Sequence, residues 1–225
     1  MPHAIRSYVI RAGRITDAQR RALDELWPAY GIDFTLQTLE LDRCFGRTAL
    51  RTLERGFGNG EHLLERALAQ PERDFIGVEV HQPGMGHLLL AAAKAGISNL
   101  RLIAHDAVEV LQHQIPEGSL DEIQLLFPDP WPKKRHHKRR IVQTEFALLI
   151  ASRLSATGRF HLATDWAPYA EHMLIVLNNC QSLKNCAQDS GYVSTDDVLA
   201  RRATRFERRG ERLGHQVNEL LYRRR

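Results

Sequence analysis

Five acidic residues in the middle of the chain stand where they could grip a small polar ligand. The first, Glu54, opens the run Glu54-Arg55-Gly56-Phe57-Gly58-Asn59-Gly60. Glycines in such a loop let the backbone turn tightly and approach a ligand closely. Glu79 follows about 20 residues on, the spacing at which an acid accepts hydrogen bonds from both hydroxyls of a ribose. Asp106, Asp129 and Asp165 come later, each just after an apolar run. The loop does not fit a nicotinamide dinucleotide, whose G-x-G-x-x-G/A pattern would place Glu61 third, and it has no lysine of the nucleoside-triphosphate type. No Ser-His-Asp or Cys-His nucleophile system is evident, and the eleven histidines show no metal-ligand spacing, so no metal is expected.

Asp129 lies in Phe127-Pro128-Asp129-Pro130-Trp131-Pro132. Three prolines fix an extended path, so this carboxylate is presented with little freedom. Trp131 offers a flat face for stacking on a base, or a plug for the core. Lys133, Lys134, Arg135, His136, His137, Lys138, Arg139 and Arg140 follow without an acid among them, a local charge of +6. Residues 201–225 carry another +6, whereas the whole chain is only +4, so the remaining body is acidic. Basicity focused on two segments is the footprint of a polyanion-binding protein.

The elements that must position these residues alternate. Arg51–Glu54 reads as a strand, and a helix from Glu61 to Pro71 buries Leu63, Leu64, Ala67 and Leu68. Phe75–Val80 is a second strand, followed by a helix from Pro83 to Gly96. Leu100–Ala104 is a third strand and Ala107–His113 a short helix. Glu122–Phe127 is a fourth strand. A helix through Phe146–Leu154 leads to a turn at Gly158 and a fifth strand, Arg159–Thr164. Closing strands are expected between Thr204 and Tyr222. Strand–helix alternation predicts an α/β fold: a Rossmann-like, doubly wound, mostly parallel sheet. Its strands end on one edge, where ligands bind. Residues 1–45 read as an N-terminal basic arm and helix, part of the same unit as residues 46–225.

The composition, 43% hydrophobic and 26% charged over 225 residues, is that of a globular protein. No apolar run is long enough to span a membrane, and the first residues have no signal-peptide core. Cys44, Cys180 and Cys186 form no C-x-x-C pair. A reduced, cytoplasmic protein without structural zinc is expected.

The acid-x-G-x-G-x-G loop resembles the first motif of class I S-adenosylmethionine-dependent methyltransferases. Taken with F-P-D-P-W-P-K-K-R-H-H-K-R-R and with Thr204-Arg205-Phe206-Glu207, it is similar to the bacterial tRNA (guanine-N7)-methyltransferases over essentially the whole chain. The resemblance implies a class I methyltransferase domain over residues 46–225. It implies methyl transfer from S-adenosyl-L-methionine to N7 of guanosine 46 in the variable loop of tRNA. Glu54, Gly56, Gly58, Gly60, Glu79, Asp106 and Asp129 would hold the cofactor, with Asp129 also catalytic. Lys133, Asp165, Thr204, Arg205, Phe206 and Glu207 would bind the guanosine, and Arg135, His136, His137, Lys138, Arg139 and Arg140 the RNA. Arg55 departs from the family's Ile or Val. At the end of a central strand covered on both faces, a guanidinium needs an acid or a route to solvent, since an unpaired buried one costs several kcal/mol. A methyltransferase of another RNA, or a non-catalytic RNA-binding relative impaired by Arg55, is the alternative.

Overall fold

Asp74–Val78 is buried at every position, the mark of a parallel strand covered on both faces. In the computed structural model, which describes residues 13–189, 191–194 and 216–225, this strand lies inside a seven-stranded sheet. The chain order is α1 (Asp17–Glu25), α2 (Trp27–Tyr30), α3 (Leu41–Phe45), β1 (Arg51–Arg55), α4 (Glu61–Ala69), β2 (Asp74–Val78), α5 (Gln82–Ala95) and β3 (Leu100–Ile103). Then come α6 (Ala107–His113), β4 (Leu120–Leu126), a 3-10 helix (Lys134–Arg139), α7 (Thr144–Arg153), β5 (Leu154–Thr164), α8 (Ala167–Asn178), β6 (Leu183–Asn185) and β7 (Asn218–Arg224). The strands stand in the order β3-β2-β1-β4-β5-β7-β6. β1 to β5 pair in parallel, and β7 runs antiparallel to both its neighbours.

One face of the sheet carries Leu53, Ile123, Leu125, Phe160, Leu162 and Tyr222, packed with residues of α6, α7 and α8. The other carries Phe75, Leu100 and Leu102 against α1, α4 and α5. On β4 and β5 that second face turns polar. Arg66 of α4 grips Glu122 with both terminal nitrogens, at 2.9 and 2.8 Å. Gln124 donates to Glu122 at 2.7 Å, and His161 meets Glu219 of β7 at 2.6 Å. Burial alone would raise the pKa of Glu122, but the Arg66 fork holds it below the ordinary value.

Helix α1 and the residue that follows α2 are tied to the sheet and its helices. Thr16 and Gln19 form a capping box at the start of α1, and Gln19 donates to the Pro83 carbonyl at 3.1 Å. Gly31 bridges to Leu102, so residues after α2 extend the edge of the sheet beside β3. No helix among the described residues is long and apolar enough to cross a membrane.

Three expectations change. Leu68 is exposed and Leu64 half-buried, while His62 and Arg66 turn inward; both find carboxylate partners on the sheet. Gly158 is no turn: β5 runs unbroken from Leu154, with a register shift opposite Leu120 and Glu122. A Cβ on Gly158 would stand 2.8 Å from the Leu120 carbonyl, so glycine permits the close approach. Helix α8 was not foreseen. Of the closing strands, β7 lies at 218–224, and the stretch from Thr204 to His215 is outside the described residues.

Candidate functional site

Along one edge of the sheet, the neighbouring strands β3, β2, β4 and β5 end just before Asp106, Glu79, Asp129 and Asp165, and β1 between β2 and β4 ends one residue past Glu54. The register fixes this line: Glu54 lies beside Gly77 and Gln124, and Leu126 beside Ala163.

Between Glu54 and α4 the glycine loop folds back on the sheet. Gly56, Gly58 and Gly60 adopt φ of 74°, 59° and 77°, which side chains with a Cβ rarely take. The Gly56 N–H donates to the Val78 carbonyl at 2.8 Å and the Gly58 N–H to the Glu79 carboxylate at 3.0 Å. The other Glu79 oxygen accepts from Val80 and His81 at 2.7 and 3.0 Å, so the acid is held rigidly by three backbone donors. Beneath the loop packing is tight: a Cβ on Gly84 would lie 1.9 Å from the Gly58 carbonyl oxygen. Outside it is open, because a Cβ on Gly56 or Gly58 would meet nothing within 4 Å. A rigid floor with a free upper surface is a cradle for a ligand.

Glu54 is 3% exposed, and Nδ1 of His62 lies 3.0 Å from its carboxylate. Asp106 caps α6, one oxygen accepting from Val108 N–H at 2.7 Å; this leaves its second oxygen for a ligand. Phe34 stacks on His105 with ring centroids 3.6 Å apart. A cleft of about 410 Å³ runs past Glu79, Val80 and Ala104 and is walled on the far side by Arg20, Leu23 and Trp27. This contribution from α1 and α2 was missed, although the Thr16-x-x-Gln19 capping signal was present to locate the helix.

After β4 the chain turns through Phe127 and Trp131, which hold left-handed φ of 49° and 44°. Such strain in non-glycine residues collects where the chain must present a group in a fixed place. Asp129, between them, is exposed. Asp165 follows β5 and is half-buried.

The basic run divides. Lys133, Lys134, Arg135 and Lys138 are exposed. Arg139 lies over the Trp131 ring at 3.9 Å, and His136 meets that ring edge-on at 5.8 Å. Loss of solvent, then the charges of Arg135, Arg139, Lys133 and Lys138, hold His136 below its usual pKa; it adds little positive charge at neutral pH. His137 is half-buried. Arg140 departs most from an outward RNA contact. It is 4% exposed, donates from Nε to the Pro130 carbonyl at 3.0 Å and stands 4.9 Å from the Tyr169 ring centroid. Its stem and charge are used inside the fold.

Arg55 is half-buried, so the expected enclosure on both faces does not hold at the last residue of β1. Its charge acts on Tyr169. Thr204, Arg205, Phe206 and Glu207 lie outside the described residues. Among the described residues no group of three or more His, Cys, Asp or Glu could hold a metal ion.

A family described as "Putative methyltransferase" matches residues 48–220. A tRNA (guanine-N(7)-)-methyltransferase of Alkalilimnicola ehrlichii is 54% identical, over 98% of this chain and 93% of its own length. One from Leifsonia xyli is also 54% identical, over 97% of this chain and 95% of its own. The chain belongs to the tRNA (guanine-N7)-methyltransferase family. Among solved structures, the 16S rRNA methyltransferase KamB superposes with a TM-score of 0.56 at 17% identity, covering 96% of this chain and 98% of its own. An antibiotic-related methyltransferase gives 0.53 at 16%, over 86% and 95%; these likenesses concern the fold. The methyltransferase uses S-adenosyl-L-methionine, and the residues present fit it. The open glycine cradle, the backbone-held Glu79 and the buried Glu54 supply surfaces for backbone approach, for hydroxyl donors and for a cation.

Proposed function

We propose that this chain transfers the methyl group of S-adenosyl-L-methionine to N7 of a guanosine in tRNA, that of position 46 in the variable loop, in the cytoplasm. The observation that carries this reading is the order of groups along one sheet edge. A glycine cradle with Glu54, Glu79 and Asp106 stands on one side, and Asp129 and Asp165 stand beside it on adjacent strands. The exposed cations Lys133, Lys134, Arg135 and Lys138 begin four residues after Asp129.

When bound, the cofactor supplies an electrophilic methyl group on a sulfonium. Guanine N7 has an in-plane lone pair and needs no deprotonation, so no strong base is required. The residues' work is orientation, worth up to about 7–11 kcal/mol when reacting atoms are held in line. Asp129 and Asp165 accept hydrogen bonds from guanine N1–H and N2–H₂, fixing the ring. Methylation leaves positive charge on the purine, and fixed carboxylates stabilise it as it develops. Lys133 meets a phosphate, Thr204–Glu207 complete the guanosine site, and Arg135 and Lys138 meet the RNA backbone. The partial exposure of Arg55 removes the buried-charge argument for an impaired, non-catalytic relative.

The test is methyl transfer from labelled S-adenosylmethionine to unmodified tRNA and to a matched tRNA lacking the variable-loop guanosine. Label on the first alone, released as 7-methylguanosine, is expected. Label on neither, with folded protein, overturns the reading.

A further inference from the structure

Helix α4 starts at Glu61, directly after the third glycine of the loop. Its second residue, His62, turns inward and is only 8% exposed. An aliphatic side chain there would pack at no polar cost. The imidazole instead meets Glu54, itself 3% exposed, at 3.0 Å from Nδ1. A carboxylate oxygen accepts, so Nδ1 carries the proton and donates. The opposite nitrogen, Nε2, is buried without a hydrogen-bond partner among the described residues. Burying a polar atom without a partner is unfavourable. The fold therefore carries a penalty on one side of this ring to keep a bond on the other.

That bond has a specific geometric effect. The Glu54 carboxylate has no other hydrogen-bond partner among the described residues. Without His62, nothing described would fix the rotation of its carboxylate. With Oε2 held, the plane of the group is set and Oε1 is left as the oxygen that can receive an incoming cation. Beside it, the second residue of a helix and the last residues of a central strand are both rigid elements, which gives better placement than a loop could.

We propose that His62 is a positioning residue for the cofactor: its Nδ1–H locks the Glu54 carboxylate in the orientation that receives the ammonium of the cofactor's amino-acid end. This rests on the reading of Glu54 as a cofactor-site acid. His62 itself touches neither substrate nor methyl group. Its effect passes entirely through Glu54, so it is felt only by ligands that carry the amino-acid end.

Two ligands separate this role from a merely structural one. S-adenosylhomocysteine carries adenosine, sulfur and the amino-acid end; 5′-methylthioadenosine carries the first two and no ammonium. Binding of each is measured by calorimetry on the full chain, on His62→Leu and on His62→Asn, with thermal melting to confirm that each variant is folded. The expected result is that His62→Leu weakens S-adenosylhomocysteine by about tenfold or more, the loss expected for one hydrogen bond to a charged group. Its affinity for 5′-methylthioadenosine stays at the wild-type value. His62→Asn, whose amide can donate to the same oxygen, recovers most of the lost affinity. Unchanged S-adenosylhomocysteine binding in His62→Leu overturns the proposal. An equal loss for both ligands also overturns it, by showing a general effect on the loop. A wild-type chain that binds neither ligand overturns the cofactor reading itself, and the role of His62 with it.

Discussion

The guanidinium of Arg140 stands 4.9 Å from the ring centroid of Tyr169, and its Nε holds the Pro130 carbonyl at 3.0 Å. The last residue of the basic run is thus an internal clasp between α8 and the loop that presents Asp129. Replacing Arg140 with Ala removes a cation–π contact, a hydrogen bond and a packed stem. Stability should fall by about 2 kcal/mol or more, read as a lower urea midpoint at unchanged slope.

Arg135 and Lys138 are exposed and should behave in the opposite way. The double variant Arg135→Ala/Lys138→Ala should keep its urea midpoint yet bind tRNA more weakly. The slope of log affinity against log salt should shrink by about 1 for each cation that meets a phosphate. Filter binding at several salt concentrations reads it, and an unchanged slope places these residues off the RNA.

Asp129 is exposed between two strained residues, so its side chain bears little on folding. Asp129→Asn should lower turnover by about a hundredfold or more, the scale of removing one electrostatic stabiliser of developing charge. Affinity for tRNA should stay within about twofold, since phosphate contacts dominate it. Single-turnover kinetics beside a binding assay separates the two.

Gly84 has no room for a methyl group: the Cβ would lie 1.9 Å from the Gly58 carbonyl oxygen. Gly84→Ala should lift the glycine loop off α5, costing about 3 kcal/mol or more and abolishing S-adenosylhomocysteine binding. Gly96→Ala is the control. Its φ is 65° with open space around it, so it should cost about 1–2 kcal/mol and leave ligand binding intact. Thermal melting and calorimetry on the two variants check the contrast.

Tyr169 is fully buried. Burial pushes its hydroxyl up to about 12 from the ordinary value of 10.0, against a hydrogen bond from Val142 N–H and the charges of Arg55 and Arg140. The folded state therefore favours the neutral phenol. That stability is complete below pH 10, the unfolded value, and is lost as pH rises toward 12, by about 2–3 kcal/mol. Tyr169→Phe should show a shallower alkaline loss of stability, measured by urea titrations between pH 9 and 12.

The line of acids is legible because parallel strands buried on both faces read as short apolar runs, and each acid closes one. The loop before the basic run is legible because proline restricts its path whatever the surroundings. Helix α8 was hidden by its own composition. Tyr169, Ala170, Met173 and Leu177 make its buried face, but Ile175 is exposed and blurs the helical period. Pro168 in its first turn was the overlooked signal. The inward turn of His62 and Arg66 depends on carboxylates outside their own helix, Glu54 across the glycine loop and Glu122 on a strand 56 residues away in sequence; a helix pattern cannot show that. Nor does a charge run reveal that two of its arginines, Arg139 and Arg140, lie against aromatic rings, and that the second is buried there.

Strand β7 enters the sheet between β5 and β6. Among the described residues, 183–185 of β6 find all their strand pairing on residues 222–224, a template that comes only when the chain has returned from far downstream. Closing a loop of that length comes before any reward from the contacts it permits. By this argument the far edge of the sheet should assemble late and as one piece, with β7 as its keystone. It should also be surrendered as one piece: amide protons of β6 and β7 share a single opening event, separate from the strands that bear the acids.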